Sequence, residues 1–451
     1  MQRTPSPEGA RHKVLLKRSR IRNGSIGKGL FFTFQPVGMA CEMRSDLKQV
    51  AVRTVTRFIV LGRDESSWEP ALVAASSFCV DLAATYATLG YETQSLRIVT
   101  NPFGEYVDTT SEASVLNALA KLSAILSANA GEIRVRFAVG AASTAAELAL
   151  VPAMIREYGD LCNICVNVRA DEHGVVDAAM CDAAARCIVA LSTTTTRGEG
   201  NFNFTANFAC PPLIPYFPAG YNTNAAGESF AIGLEHPDLL IAVLAPLKLG
   251  GVPAADRSGA WTAAHSALRD AIQAHVDPLV AAANAAAVAT GVRFAGLDSS
   301  AAPSKEVTSM CKVIEALGVP HFGASGTIEA CAFLTRVFKS VSGVPLVGFS
   351  GLMLTCLEDT GMAASAARRE YDIRALLTYS CVCGIGLDCV PIPGDTSVAR
   401  IAALMRDTGT LAFRYKKPLT VRLFPCVGKV AGEMTTFESD DLCNCSIFAV
   451  E

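Results

Sequence analysis

An α/β fold is what this sequence predicts, on two observations. From residue 52 onward, runs rich in Val, Ile and Phe alternate with alanine-rich helical runs, the pattern of strands joined by crossover helices. In the last third, five such runs each end in glycine or aspartate, the residues that gather where strands of a parallel sheet meet their loops.

The elements follow in order. "VRTVTRFIVLG" (52–62) reads as the first strand and residues 68–89 as an alanine-rich helix. "QSLRIVT" (94–100) is a strand and "SEASVLNALAKLSAILSAN" (111–129) a helix. "EIRVRFAVG" (132–140) and "CNICVNVR" (162–169) continue the strands, with apolar residues on both faces, as in a sheet covered on each side. Residues 197–222, "RGEGNFNFTANFACPPLIPYFPAGYN", carry four prolines and read as one long ordered loop without regular structure, a kind of segment that is usually functional. Residues 258–290 read as a long helix or helix pair, broken near Pro278. The five late strand-and-turn segments are "VRFAGLDSSAAP" (292–303), "VPHFGASGT" (319–327), "VPLVGFSGLM" (344–353), "LDCVPIPGDT" (387–396) and "LTVRLFPCVGKVAGE" (419–433), at a spacing suited to a barrel.

Composition narrows the class. With 451 residues, 51% hydrophobic and 18% charged, the chain can bury a large core. A net charge of −3 argues against DNA as a partner. Residues 1–40 hold eight basic side chains against Glu8 alone, leaving 31 basic and 41 acidic residues in the remainder. Residues 1–45 are therefore set apart as a basic extension, either a targeting segment or, in the plainer reading, an unstructured tail or the product of an upstream start codon with Met39 or Met43 beginning the folded part, and 46–451 as a single barrel domain. No run of eighteen uncharged apolar residues occurs, so no membrane span is expected. Sixteen cysteines scattered through apolar segments read as small buried hydrophobes in a reducing compartment. Cytoplasm is the expected location, with the mitochondrial matrix as the alternative.

Several constellations are candidates for chemistry. Asp298, Glu358, Asp359, Asp388 and Asp395 each stand at a strand end or helix start. Gathered at one mouth, they would act as acid and base (Asp298, Asp388, Asp395) or hold a hard cation, magnesium or calcium (Asp298, Glu358, Asp359). The competing reading is helix capping. In "YSCVCGIGLDCVPIPGDT" (379–396), glycines and prolines suggest a rigid loop presenting Asp388, Asp395 and Cys383. Asn201, Asn203 and Asn207 would share one face of an extended stretch and point amides into a cavity, with Cys210 and Tyr221 beside them. Gly323, Gly326 and Thr327 precede a helix and would cradle an anion, or form a plain tight turn. Ser350 in "GFSGLM" matches a nucleophile elbow only loosely and is placed with the substrate-binding set. The cysteine pairs 162/165, 381/383 and 443/445 lack the spacing of structural zinc, and the histidines, among them His236 and His321, show no metal-type pairing.

The stretches "NFNFTANFACPPLIPYFPAGY", "FAIGLE", "GLDSSAAPS", "GFSGLML", "YSCVCGIGLDCVPIPGDT" and "RLFPCVGKVAGE", with the opening "VRTVT", together resemble the uncharacterised domain-of-unknown-function family 711 over about residues 50–450. The resemblance implies a pyruvate formate-lyase-like fold, a ten-stranded β/α barrel of two five-stranded parallel halves. Enzymes of that fold use a cysteine thiyl and a glycyl radical. Cys381 and Cys383 offer thiols, but Gly428, flanked by Val427 and Lys429, lacks the radical-loop signature, so no glycyl radical is expected.

Two functions are carried forward. One is a small-molecule enzyme, cation-dependent or not, with its site at a barrel mouth. The other is a catalytically silent barrel that binds or assembles through its surface and basic tail. Both are compatible with a homo-oligomer.

Overall fold

The computed structural model describes residues 47–129 and 135–451. The basic extension, with its targeting reading and its alternative starts, lies outside the described residues. In chain order the elements are β1 (Ala51–Phe58), α1 (Trp68–Thr88), β2 (Leu96–Val99), α2 (Glu112–Ala128), β3 (Val135–Ala138), β4 (Gly140–Ala142), α3 (Ala145–Tyr158), β5 (Ile164–Val168), α4 (Ala178–Thr194), β6 (Phe204–Phe208), β7 (Ser229–Glu235), α5 (Pro237–Leu244), α6 (Arg257–Thr290), β8 (Arg293–Asp298), α7 (Met310–Ala316), α8 (Thr327–Lys339), α9 (Thr360–Ala367), α10 (Ile373–Ser380), β9 (Gly386–Pro393), α11 (Val398–Tyr415) and β10 (Leu419–Cys426). Helix starts are fixed by side-chain caps: Ser111, Thr144, Asp177, Ser397 and others each accept an amide hydrogen from the first turn.

The strands form two five-stranded sheets, ordered β3-β2-β1-β7-β8 and β4-β5-β6-β10-β9. Each sheet is mixed: three parallel strands meet two parallel strands of opposite direction at β1·β7 and at β6·β10. The resemblance implied two parallel halves in a closed ring. The structure has instead one antiparallel junction in each sheet, and β8 and β9 do not pair with each other. Between those edges runs the segment 345–356. It bonds β8 through Leu297 N–H to Pro345 O and Val347 N–H to Leu297 O, and β9 through Cys356 N–H to Asp388 O.

Three sequence expectations are corrected. The 197–222 stretch contains a central strand, β6, because Phe204, Ala206 and Phe208 pack into the core while the prolines begin only at Pro211. Residues 319–327 and 344–353 are not strands: Gly323, Gly326, Gly348 and Ser350 adopt positive φ, which breaks an extended run. Residues 257–290 form one helix through Pro278, not a broken pair. Leu268, Ile272 and Val276 before the proline and Leu279, Val280 and Ala283 after it are all buried. At about 1.5–3 kcal/mol for each large side chain, that burial outweighs the roughly 3 kcal/mol cost of an interior proline.

One helical stretch, Glu65–Thr88, is long and apolar enough by composition to cross a membrane. Its Trp68, Leu72, Phe78, Leu82 and Tyr86 are buried in the core beside β1 and β2. All fifteen cysteines in the described residues are free thiols, and most are buried among apolar side chains.

The "GIG" of residues 384–386 serves backbone packing. A methyl group on Gly384 would lie 2.8 Å from Gly351 Cα and carbonyl carbon, and Gly384 N–H donates to Leu352 O at 2.6 Å. Gly384→Ala should cost about 1–3 kcal/mol of overpacking. Urea denaturation measures this, and an unchanged midpoint would contradict the close crossing.

Candidate active site

The site is built from arginines in strands that are covered on both faces. Charged residues are almost never fully buried unless paired, yet β2 and β10 carry the buried Arg97 and Arg422, and β1 and β3 add the partly exposed Arg53 and Arg136.

Arg422 sits at a bulge. Its neighbours pair as Val421↔Leu387 and Leu423↔Val390, so two β9 residues, Asp388 and Cys389, oppose this one arginine. Cys389 takes up the bend with φ of 50°. Arg422 Nε donates to Asp388 Oδ1 at 2.7 Å and Nη2 to Asp388 Oδ2 at 3.0 Å, a two-pronged pair. Nη2 also donates to Glu358 Oε2 at 2.5 Å, and Nη1 to Phe202 O at 3.3 Å. The Phe202 ring lies 4.9 Å from the guanidinium carbon. The Cys389 thiol donates to Glu358 Oε2 at 3.2 Å. Burial opposes the charge on Arg422, but Asp388 and then Glu358 outweigh it and hold the guanidinium protonated. Burial raises the Asp388 pKa, with Arg422 opposing, and burial pushes the Cys389 thiol far up, so it is a neutral thiol at pH 7.

The other sheet carries a second set of charges. Arg97 and Arg136 are register partners on β2 and β3, and Thr56 is the β1 partner of Arg97. Arg53 is the extra residue of a β1 bulge between Val52 and Thr54. Arg53 pairs with Glu235 at 3.0 Å and Arg136 with Asp441 at 3.5 Å. Arg97 is 7% exposed and its bonds go to neutral oxygens: Nε to Ser95 Oγ at 3.2 Å and Nη1 to Pro215 O at 3.2 Å, under the Phe217 ring. Burial, then repulsion from Arg53 and Arg136, pushes its pKa down to about 9. The fields of Glu358 and of Tyr216 act on it in the opposite sense, which ties this set to the Arg422 cluster.

The segment after β6 lies against both sheets. Thr56 donates to Pro215 O, Tyr216 to Leu234 O and Asn207 to Ala219 O, while Tyr221 packs on Ala141 and Cys165.

The expected site residues fall in several places. The set Asp298, Glu358 and Asp359 does not converge. Among the described residues the acidic and thiol groups that do meet are Glu358, Asp388 and Cys389, with donor atoms within 4.8 Å of one another. Arg422 already supplies the positive charge there, and a thiol is a poor ligand for magnesium or calcium. Asp359 caps α9, accepting from Gly361 and Met362, and its other oxygen takes Met310 N–H. Asp298 is a staple: it accepts from Ser300 N–H and Oγ, Phe349 N–H and Ser350 N–H. Burial pushes its pKa up to about 6 in spite of those bonds.

Asp388 and Asp395 do not share a mouth. Asp388 is inside β9 and buried, Asp395 follows its far end and is exposed, and five residues of strand, about 17 Å, lie between Asp388 and that end. Cys383 is buried before β9, its carbonyl accepting from Lys417. Gly428 is in the turn beyond β10, at the other end of the parallel β9·β10 pair, so thiol and glycine are not brought together.

The asparagines do not share a face, since Asn201 and Asn203 lie in the turn of helix Thr196–Asn203 and Asn207 in β6. Asn201 binds Gly198 O, Asn203 binds Gly159 O and Asn163, and Asn207 binds Asn167. Cys210 leans on Leu419 O, and Tyr221 donates to Cys210 O. Ser350 Oγ donates to Val347 O. Gly323 N–H donates to Thr327 Oγ1 and Thr327 N–H to Ala324 O, so those amides are used within the turn, and Gly326 supplies its φ of 104°. The arginines were missed by reading loops alone. Their signal was present: a single arginine inside each of the largely apolar strands β2, β3 and β10.

Two outcomes follow. Arg422→Met leaves two carboxylates without their partner and should cost about 3–5 kcal/mol in chemical denaturation; a cost below about 1 kcal/mol would contradict the pairing. Asp298 has a folded pKa above its ordinary 3.8, so its contribution to stability is full below that value and is lost as pH rises through about 6. Unfolding measured from pH 4 to 7 should show wild type losing stability relative to Asp298→Asn over this window. Parallel curves would count against it.

Residues 44–439 match the family described as "Uncharacterised ACR (DUF711)". A UPF0210 protein of Pyrobaculum arsenaticum is 31% identical over 256 residues, 55% of this chain and 54% of that protein. UPF0210 proteins of Desulforudis audaxviator and Methanosarcina mazei are 39% and 32% identical over 151 residues, 33% of each chain. The chain thus spans between a third and about half of the length of these curated relatives. The family match covers most of the sequence, and on that ground the chain belongs to the DUF711 family.

Proposed function

We propose that this chain is a small-molecule enzyme whose site lies between the two sheets, with Glu358 as its proton-handling group. The observation that carries this reading is the placement of Glu358: one oxygen is shared by Arg422 and the Cys389 thiol, the side chain is 13% exposed, and its field reaches the buried Arg97 of the other sheet. In this reading Arg422 and Asp388 are positioning residues that fix Glu358, and the arginines, rather than a metal, supply positive charge. A carboxylate held in this way can take a proton from a bound molecule and return it. We also read the two sheets as walls of one ten-stranded barrel of the pyruvate formate-lyase type. In support, β3 and β4 are separated by Val139 alone, and segment 345–356 spans the opposite edges. A cytoplasmic setting is kept, since the relatives named above come from archaea and bacteria, cells without mitochondria.

One observation favours the second reading, a silent barrel used for binding or assembly: Ile214, Tyr216 and Ala219 pack with Ala302, Phe349, Met353 and Ile385 and fill space beside the sheets. Incubation with a small-metabolite extract, followed by mass spectrometry, separates the two. Wild type should consume at least one compound, and Glu358→Gln, folded by circular dichroism, should do so about 10²- to 10⁴-fold more slowly. No consumption by wild type would favour the silent barrel, and equal consumption by both would remove Glu358 from the chemistry.

A further inference from the structure

We propose that Arg97 is the receptor for an oxyanion, a carboxylate or phosphate group carried by the small molecule that this site takes. The proposal rests on the reading of the inter-sheet region as the site, and it names the chemistry of the ligand.

The argument starts from charge. A guanidinium removed from water needs negative charge or a full set of acceptors. The other strand arginines considered above have a carboxylate: Arg53 has Glu235, Arg136 has Asp441 and Arg422 has Asp388 with Glu358. Arg97, on the strand between those of Arg53 and Arg136, has no ion-pair partner among the described residues and binds only a hydroxyl and a carbonyl, each at 3.2 Å. Two further arginines add positive potential at the same place, and low dielectric strengthens it. Exposure of the side chains rises from Arg97 to Arg53 at 24% and Arg136 at 42%, so two of the three charges meet solvent. Phe217 over the guanidinium plane holds it flat and leaves its edge for a two-pronged contact with an oxyanion. Bound there, the ligand would lie on the side toward Glu358, which acts on it in the proposed chemistry.

Arg97 differs from the cations of the surface cleft of about 330 Å³ lined by Ser192, Arg197, Lys429 and Phe437. Arg197 already meets Glu199 and Glu438, and Lys429 donates to Met434 O.

The test titrates inorganic phosphate and, separately, acetate into the full chain. Thermal melting should rise with one or both for wild type, and whichever anion raises it identifies the group preferred. Arg97→Met should weaken that binding about ten- to hundredfold, and, having lost an unpaired buried charge, should melt at or above the wild-type temperature without anion. In wild type labelled with ¹³C and ¹⁵N arginine, one buried guanidinium signal should move with the same titration, a readout that needs no variant. Equal stabilisation of wild type and Arg97→Met would place the binding elsewhere and overturn the proposal, as would a silent guanidinium spectrum. If the anion binds at Arg97 and no turnover is found in any extract, the enzyme reading fails while this one stands.

Discussion

Buried guanidinium groups set the terms for the region between the sheets. Several kcal/mol are needed to take each such ion from water, and the chain recovers this only where acids or acceptors are brought to it from distant positions. Arg422 forces the pattern most strongly. Asp388 comes to it from β9, Glu358 from the loop before α9 and the Phe202 carbonyl from the stretch before β6. The bulge that places two β9 residues opposite one arginine, and the left-handed backbone at Cys389, are local distortions that the ion pairs hold in place.

The same constraint explains why the glycine- and aspartate-rich loops serve structure more than chemistry. Asp298 and Asp359 are acids with nearly every oxygen committed to backbone amides, and they fasten the 348–351 and 310 segments to their neighbours. Gly351 and Gly384 permit two backbones to cross without side chains. The asparagines of 201–207 pin turns and carbonyls. Such groups make the scaffold rigid, and rigidity is what the proposed site spanning two sheets requires.

Much of the fold was legible in residue patterns, and its failures have physical reasons. Strands β1, β2, β5, β8, β9 and β10 and helices α1, α2 and α6 announce themselves by runs of β-branched or alanine-rich residues. Strand β6 was hidden because its five residues sit between a glycine-rich turn and a proline-rich loop, and local composition outvoted the alternation of Phe204, Ala206 and Phe208. The segments 319–327 and 344–353 look like strands but contain glycines whose positive φ is invisible until the chain is folded. Of the site, Asp388 and Glu358 were singled out, while Asp395 was grouped with them because distance along a strand was not weighed against the length of β9. Arg97 and Arg422 went unread because arginine is usually a surface residue, and its burial depends on pairing that only the register reveals.

The central claim is that the inter-sheet region is a charged ligand site rather than a filled core. The most direct measurement is a crystal structure of the full chain soaked with phosphate at high resolution. The account predicts an oxyanion within hydrogen-bond distance of the Arg97 Nη atoms, on the side toward Glu358. A structure in which Arg97 instead closes onto a carboxylate of the chain, with side chains occupying the space before it, would contradict it.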